Sequence, residues 1–277
     1  MEKDTTTLKK NDDLIRRLKE LDSLLVAFSG GVDSTFLLAL AHQVLGDRVV
    51  AATASSITYP SREREEAVKF TSERRIRHIV FRSDEAGLPE FISNGPDRCY
   101  HCKKFLSQSL IKIADEKGLN YVAYAANLDD LEDYRPGLKA AEEMGIISPL
   151  MDARLSKGEI RILSKEMGLA TWDKPAMACL ASRIPYGSPI TSEKLKMVND
   201  AEEFLSKSGF KQFRVRHHGP VARIEVESTD IAKITESEFR KRLVAELRQI
   251  GFLHIAVDLE GYVSGSLNRA IKKDLTG

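Results

Sequence analysis

The sequence is short of cysteine, of charge of one sign and of long apolar runs. It holds three cysteines in 277 residues, too few for the disulfide framework of small secreted domains. In a reducing compartment a closely spaced pair points instead to metal binding or redox chemistry. No apolar run is long enough to span a bilayer, so a membrane is not an expected partner. The opening stretch MEKDTTTLKKNDD is polar and lacks a signal-peptide core, so the expected location is the cytoplasm. The chain carries 42 Lys and Arg against 41 Asp and Glu, a net charge of +1. That balance removes the bulk electrostatic argument for nucleic acid as a partner. No internal repeat or low-complexity tract is present. What remains is 42% apolar and 30% charged, an ordinary globular mixture whose length suggests about two domains.

Periodicity predicts alternating strands and helices. A short amphipathic helix spans 8–21, and the strand SLLVAFS (23–29) leads to a helix over 32–45. RVVAATAS (48–55) and RHIVFRS (77–83) read as strands flanking a helix over 61–75. A helix is expected from near Cys102 to Lys117, capped by Gly118, and YVAYAAN (121–127) is a fourth strand. Helices over 137–145 and 156–168 follow, the second with Ser156 as N-cap. This alternation predicts an α/β fold, a parallel sheet with helices on both faces. The pattern changes at SRIPYGSPIT (182–191), rich in Pro, Gly and Ser. The expected division is 1–187 and a smaller α+β domain, 188–277. The latter reads as a helix (191–207), strands 212–218 and 221–228, a helix (236–249) and a strand (253–259).

AFSGGVDSTF (27–36) is the strongest local signal, because it closes a strand and opens a helix. Gly30 and Gly31 allow a sharp turn and a close approach of backbone N–H groups to an anion. Ser29 and Ser34 add hydroxyl donors, and the helix N-terminus adds its dipole. A plain strand-to-helix turn needs only one glycine, so the phosphate reading is favoured. It is not a Walker A loop, since no Gly-Lys-Ser/Thr follows. NLDDLEDYRPGLKA (127–140) follows the fourth strand, where ligands meet open α/β sheets. Asn127, Asp129 and Asp130 are therefore placed for a metal or nucleotide, and Arg135 at a helix start for a phosphate; on the residues alone, a solvated acidic loop is the better reading. On the strand FRVRHH, alternation puts Arg214, Arg216 and His218 on one face; on the next strand Arg223, Glu225 and Glu227 share a face. A solvated sheet face and a binding surface explain that pattern equally well, and the adjacent His217 and His218 point apart.

DRCYHCKKF (97–105) carries Cys99 and Cys102, with Cys179 far away. Zinc wants four ligands, and His101 sits awkwardly between the two cysteines. A thioredoxin-like pair lacks that fold's surroundings, and haem attachment needs the histidine after the second cysteine. A buried structural thiol is a fair reading for Cys179 alone.

SGGVDS resembles the PP-loop of the N-type ATP pyrophosphatases, which cleave ATP to AMP and pyrophosphate while adenylating an oxygen nucleophile. With DYRPGLKA, ACLASRIPYG (178–187) and FRVRHHGPVARIE (213–225), the chain resembles, over nearly its whole length, the ATP-dependent sulfur transferases of nickel-pincer nucleotide biosynthesis. Those enzymes convert the two carboxylates of a pyridinium mononucleotide to thiocarboxylates for the cofactor of lactate racemase. The resemblance implies ATP binding by Ser29, Gly30, Gly31, Asp33, Ser34, Asn127, Asp130 and Arg135, with Mg²⁺ on Asp33. It implies substrate binding by Arg183, Arg214, Arg216 and Glu225. It also implies a homo-oligomer, a hexamer among the family's forms. One branch sacrifices a single cysteine at the position of Cys179, leaving dehydroalanine. Three cysteines fit better the branch in which Cys99, Cys102 and Cys179 hold a [4Fe-4S] cluster fed by sulfide or another sulfur donor; thiolates are the usual cluster ligands. Cluster ranks first, cysteine donation or disulfide chemistry second, zinc third. A cluster-bearing tRNA thiolase is the rival enzyme, disfavoured by the charge balance. An amidating synthetase would share SGGVDS but has no use for the cysteines. A nucleotide-sensing metal-binding module is the alternative that is not an enzyme.

Overall fold

The computed structural model describes residues 5–132, 136–175, 178–263 and 265–269. It divides into two compact units, Met1–Leu88 with Asp97–Met177, and Pro89–Pro96 with Ala178–Gly277. In chain order the elements are α1 (Thr5–Lys19), β1 (Leu24–Ala27), α2 (Val32–Leu45), β2 (Val49–Ser55), α3 (Ser61–Glu73), β3 (Arg77–Arg82), α4 (Pro89–Ile92), α5 (Arg98–Glu116), β4 (Tyr121–Ala123), α6 (Pro136–Glu143), α7 (Pro149–Asp152) and α8 (Lys157–Glu166). There follow α9 (Ser192–Lys207), β5 (Phe213–His218), β6 (Val221–Val226), α10 (Ile231–Thr235), α11 (Ser237–Ile250) and β7 (His254–Val257).

The first unit is an α/β sandwich around a parallel sheet of order β3-β2-β1-β4. Successive residues of β1 face opposite ways: Leu24 and Val26 join a core with α1, α2 and α8, while Leu25 joins Leu110 and Ala114 of α5 on the other face. Both faces are thus covered, as an all-parallel sheet requires. α2 is buried nearly all round, with Phe36, Leu37, Leu38 and Ala41 in the core, which fixes the loop at its N-terminus. α8 starts with a capping box, Ser156 accepting from the Glu159 N–H and Glu159 from the Ser156 N–H.

Most element boundaries shift by one to three residues from the sequence expectation, and two shift further. Helix α5 begins at Arg98, after Pro96 and Asp97, rather than near Cys102. Strand β4 ends at Ala123 instead of reaching 127; Ala123 also forms an isolated parallel bridge with Ile147, the Tyr124 N–H donating to Ile147 O and the Ile147 N–H to Val122 O. In the second unit β5 pairs antiparallel with β6, and β6 parallel with β7. Phe213, Val215, Ile224 and Val226 pack on Ala201, Leu205, Leu243 and Leu247 of the helices. Asn94, at φ 57° and fully buried, donates to Ile184 O, Pro185 O and Ser188 O, which ties 89–96 to this unit. Among the described residues no helix is long and apolar enough to cross a membrane.

Candidate active site

The loop after β1 is built around Ser34. Its hydroxyl donates to Gly31 O at 3.2 Å, receives the Ser29 N–H at 3.3 Å and meets the Ser29 hydroxyl at 3.0 Å. Gly30 turns the chain at φ +66°, a conformation that excludes most other residues, and Gly31 caps α2. The first N–H groups of a helix lack intrahelical partners, so this loop presents donors and a positive dipole end to an anion. The Tyr59 hydroxyl holds the Ser29 carbonyl from the far side. Burial, then Glu63 and Glu66, push the Tyr59 phenol up, so it stays a donor.

Asp33 is the unusual group. Its Oδ2 accepts from Lys157 Nζ at 2.5 Å, whereas Oδ1 is buried with no hydrogen-bond partner among the described residues. Burial pushes the Asp33 carboxyl above its ordinary value; Lys157 opposes this and Asp130 adds to it. A buried carboxylate oxygen without a donor is what a hard cation such as Mg²⁺ would take. The acidic segment lies against the same helix: the Lys157 N–H donates to Asp129 Oδ2 at 3.0 Å. Asn127 and Asp130 are buried, with the Asn127 N–H on Asp130 Oδ2 at 3.0 Å and the Asp129 N–H on Asn127 Oδ1 at 3.0 Å. These contacts shape the loop, in which Asp129 stays exposed. Arg135 lies outside the described residues.

Cys99 and Cys102 occupy the first turn of α5, not a loop, and their spacing of three puts both on one helix face. Arg98, 3% exposed, donates from Nη2 to Cys99 Sγ at 3.7 Å. His101 turns to Asp97 at 3.1 Å. Gly137 leaves room for α6 to approach α5, since a Cβ there would meet Cys99 O and Lys103 Cβ at 3.4 Å. Cys179 precedes a short 3₁₀ turn, Leu180–Arg183, in the second unit. None of the three cysteines is in a disulfide; Cys99 and Cys179 are exposed and Cys102 is half-buried. Reduced thiols are the right donor type for an iron–sulfur cluster. Among the described residues, no group of three or more His, Cys, Asp or Glu side chains is gathered for a metal.

In the second unit Arg214, Arg216 and Glu225 of the charged sheet face are buried, Arg223 is partly exposed, and His218 and Glu227 are exposed. Arg216 grips Glu225 with two bonds, 2.9 and 2.7 Å, and reaches Ser182 O at 2.9 Å and Ser266 Oγ at 3.1 Å. Arg223 links Glu225 to Asp258, at 3.0 and 2.9 Å. Arg183 is 0% exposed. It grips Glu202 at 2.8 and 3.0 Å and donates to Ala178 O, Cys179 O and Ser182 Oγ at 2.8, 3.2 and 3.0 Å. The Cys179 carbonyl also receives the Ser182 N–H at 2.9 Å and hydroxyl at 2.7 Å. Arg183 thus touches the Cys179 backbone and has no exposed surface of its own. Arg214 is buried over the Tyr262 ring, its guanidinium 4.9 Å from the centroid. Burial, with the charge of Arg183, pulls its pKa down to about 10.

Sequence reasoning missed Lys157, Lys174, Tyr59 and Glu202. No local motif marks them, because each meets its partner only through the fold.

A parallel α/β sheet with SGGVDS between β1 and α2 defines the class: the chain is a PP-loop protein of the ATP pyrophosphatase kind. It is 26% identical over 242 residues to a subunit of glutamine-hydrolysing GMP synthase from Pyrococcus furiosus, covering 73% of this chain and 71% of that one. It is 36% identical over 269 residues, 97% of both chains, to pyridinium-3,5-bisthiocarboxylic acid mononucleotide synthase from Lactiplantibacillus plantarum. The chain belongs to the family of that synthase. An uncharacterised protein of Synechocystis is 43% identical over 264 residues, 95% of this chain and 98% of that one. No protein-family model matches.

Proposed function

We propose that this protein is an ATP-dependent sulfur transferase. It adenylates the carboxylates of pyridinium-3,5-biscarboxylic acid mononucleotide and replaces an oxygen of each with sulfur. The observation that supports this most is the 36% identity along 97% of both chains to the Lactiplantibacillus plantarum synthase. The nucleotide loop agrees with it chemically. A substrate carboxylate oxygen attacks the α-phosphorus of ATP, and pyrophosphate leaves toward Ser29, Gly30, Gly31 and Ser34. Asp33 would hold Mg²⁺ through Oδ1, which has no hydrogen-bond partner among the described residues; the ion would supply positive charge to offset that of the leaving group. Asn127, Asp130 and Arg135 complete the nucleotide site. The acyl adenylate then loses AMP to a sulfur nucleophile, giving the thiocarboxylate.

In residues 188–277, the proposed substrate and oligomerisation domain, Arg214 binds the substrate phosphate. Burial and a neighbouring cation oppose its charge, and a phosphate would relieve both. Arg216 and Glu225 orient the same group, and Arg183 supports it from behind. Cys99, Cys102 and Cys179 would hold a [4Fe-4S] cluster, which when bound supplies a replaceable sulfide. The protein would work in the cytoplasm as a homo-oligomer, a hexamer by family resemblance, with sulfide or another small donor as its sulfur source.

A second reading has its own support: Cys179 is exposed while its carbonyl is clamped by Ser182 and Arg183. Here the Cys179 thiolate attacks the adenylate and displaces AMP, forming a thioester. Loss of the Cys179 Hα as a proton to a base breaks the Cβ–S bond. Sulfur leaves as the thiocarboxylate, with dehydroalanine at 179. The test is anaerobic purification with iron and sulfide analysis, then pyrophosphate release from ATP with and without the mononucleotide. Substrate-dependent pyrophosphate and thiocarboxylate support the proposal. Release driven only by tRNA would transfer it to the tRNA thiolases, and none with any carboxylate would leave a binding module.

A further inference from the structure

Lys174 lies in a strap after α8 that two side chains fasten. Arg161, on α8, donates to Trp172 O at 2.6 Å and Lys174 O at 2.8 Å, fixing the strap's backbone. The Lys174 side chain then turns inward, 15% exposed. Its ammonium donates to Gly30 O at 3.2 Å, Glu63 Oε2 at 2.6 Å and Glu66 Oε2 at 2.6 Å. An ammonium has three donors and no acceptor, so these contacts use it fully. Glu63 is 2% exposed, which makes the pair with Lys174 a buried one.

The contact with Gly30 O has a consequence for the loop. The carbonyl of residue 30 and the N–H of residue 31 are opposite edges of one planar peptide. Whatever fixes the direction of Gly30 O therefore fixes the direction of Gly31 N–H. That N–H stands at the entrance to α2, and among the described residues it has one long contact, to Ser29 Oγ at 3.4 Å. A peptide between two glycines is also the easiest in the chain to flip, since neither flanking residue resists a change of hand. Without an external hold, the loop would interconvert between an orientation presenting the N–H to an anion and one presenting the carbonyl, which repels it.

We propose that Lys174 is a positioning residue of the nucleotide loop. It clamps the Gly30–Gly31 peptide in the orientation that receives phosphate, and Glu63 holds the clamp in place. This rests on reading residues 29–34 as the phosphate loop. Lys174 acts on the loop from behind and is not itself assigned a contact with ATP.

The test compares K174R, K174M, and K174M in an E63Q background, the last removing the charge that K174M would leave buried. Two quantities are read on each full-length variant: the urea midpoint without nucleotide, and the affinity for Mg–ATP by calorimetric titration. K174M/E63Q should recover most of the midpoint that K174M loses, yet bind Mg–ATP about tenfold more weakly than wild type, the value of one charge-assisted hydrogen bond. K174R, which still carries donors to Gly30 O, should stay within about threefold. If K174M/E63Q does not fold, K174Q/E63Q carries the same expectation, because glutamine stops one bond short of Gly30 O. Wild-type affinity in either folded double variant overturns the proposal and leaves Lys174 a staple of the fold. A wild-type protein that does not bind Mg–ATP overturns the phosphate-loop reading beneath it, a separate and recognisable outcome.

Discussion

Replacing Arg183 by methionine should destabilise the protein strongly. The guanidinium is wholly buried and reaches five acceptor atoms, two on Glu202 and three in the segment 178–182. Removing one partner of such a pair costs about 3–5 kcal/mol, because the other charge stays buried without compensation. Glu202 keeps the Val215 N–H at 3.0 Å and the nearby charge of Arg214, which offset only part of that cost. Replacing both residues, as R183M/E202L, removes the stranded charge. That variant should recover at least about 2 kcal/mol, with the residual loss near 1–2 kcal/mol for the Val215 N–H left unpaired. Urea unfolding of wild type, both single variants and the double variant measures each value and the coupling. In a C99S/C102S background, the alkylation rate of Cys179 reports the freed segment, and R183M should change it. Wild-type stability in R183M, with only mononucleotide binding lost, would refute the reasoning: Arg183 would then be a ligand for the substrate and not the clasp on Cys179.

Ser34 donates at the entrance to α2, so Ser34→Ala should slow pyrophosphate release by an amount worth about 1.5–3 kcal/mol, more than the loss of folding stability that the urea midpoint reads. Arg214→Ala should raise the KM for the mononucleotide and leave bound iron intact; iron analysis beside steady-state kinetics checks both. Burial holds His78 and His217 below their ordinary value. The unfolded chain therefore takes up these protons first as pH falls through about 6.5, so this stability is full above that pH and is lost below it. Melting temperatures between about pH 7.5 and 5.5 should fall, and His217→Phe, facing Phe252 at 5.5 Å, should flatten the slope.

How much of this was legible before folding depended on the range of each interaction. Residues 27–36 were readable because the signal is local: an apolar run, two glycines that permit the turn, and a hydroxyl that closes the loop on itself within five residues. The start of α5 is marked in the sequence by Pro96 and Asp97, which precede its first residue, Arg98. Alternation on β5 placed Arg214 and Arg216 on one face correctly and left open whether that face is wet. Only the antiparallel register, Arg214 opposite Glu225 and Arg216 opposite Arg223, with the segment carrying Arg183, encloses these two arginines, while His218 and Glu227 stay exposed. The partners of the nucleotide loop were beyond reach for the same reason. Lys157 meets Asp33 across 124 residues and Lys174 meets Gly30 across 144, and no periodicity encodes a contact of that length.

The central claim is that sulfur is transferred to an ATP-activated carboxylate through Cys99, Cys102 and Cys179 acting as one unit. The most direct measurement follows iron content, pyrophosphate release and thiocarboxylate product in Cys99→Ala, Cys102→Ala and Cys179→Ala, with intact mass of wild type after turnover. Each variant should lose most of its iron and its product while still releasing pyrophosphate, because a three-thiolate site cannot hold a four-iron cluster with one ligand gone. Full product from Cys99→Ala and Cys102→Ala, with spent wild type lighter by H₂S at Cys179, would contradict the cluster and leave Cys179 as the sulfur donor.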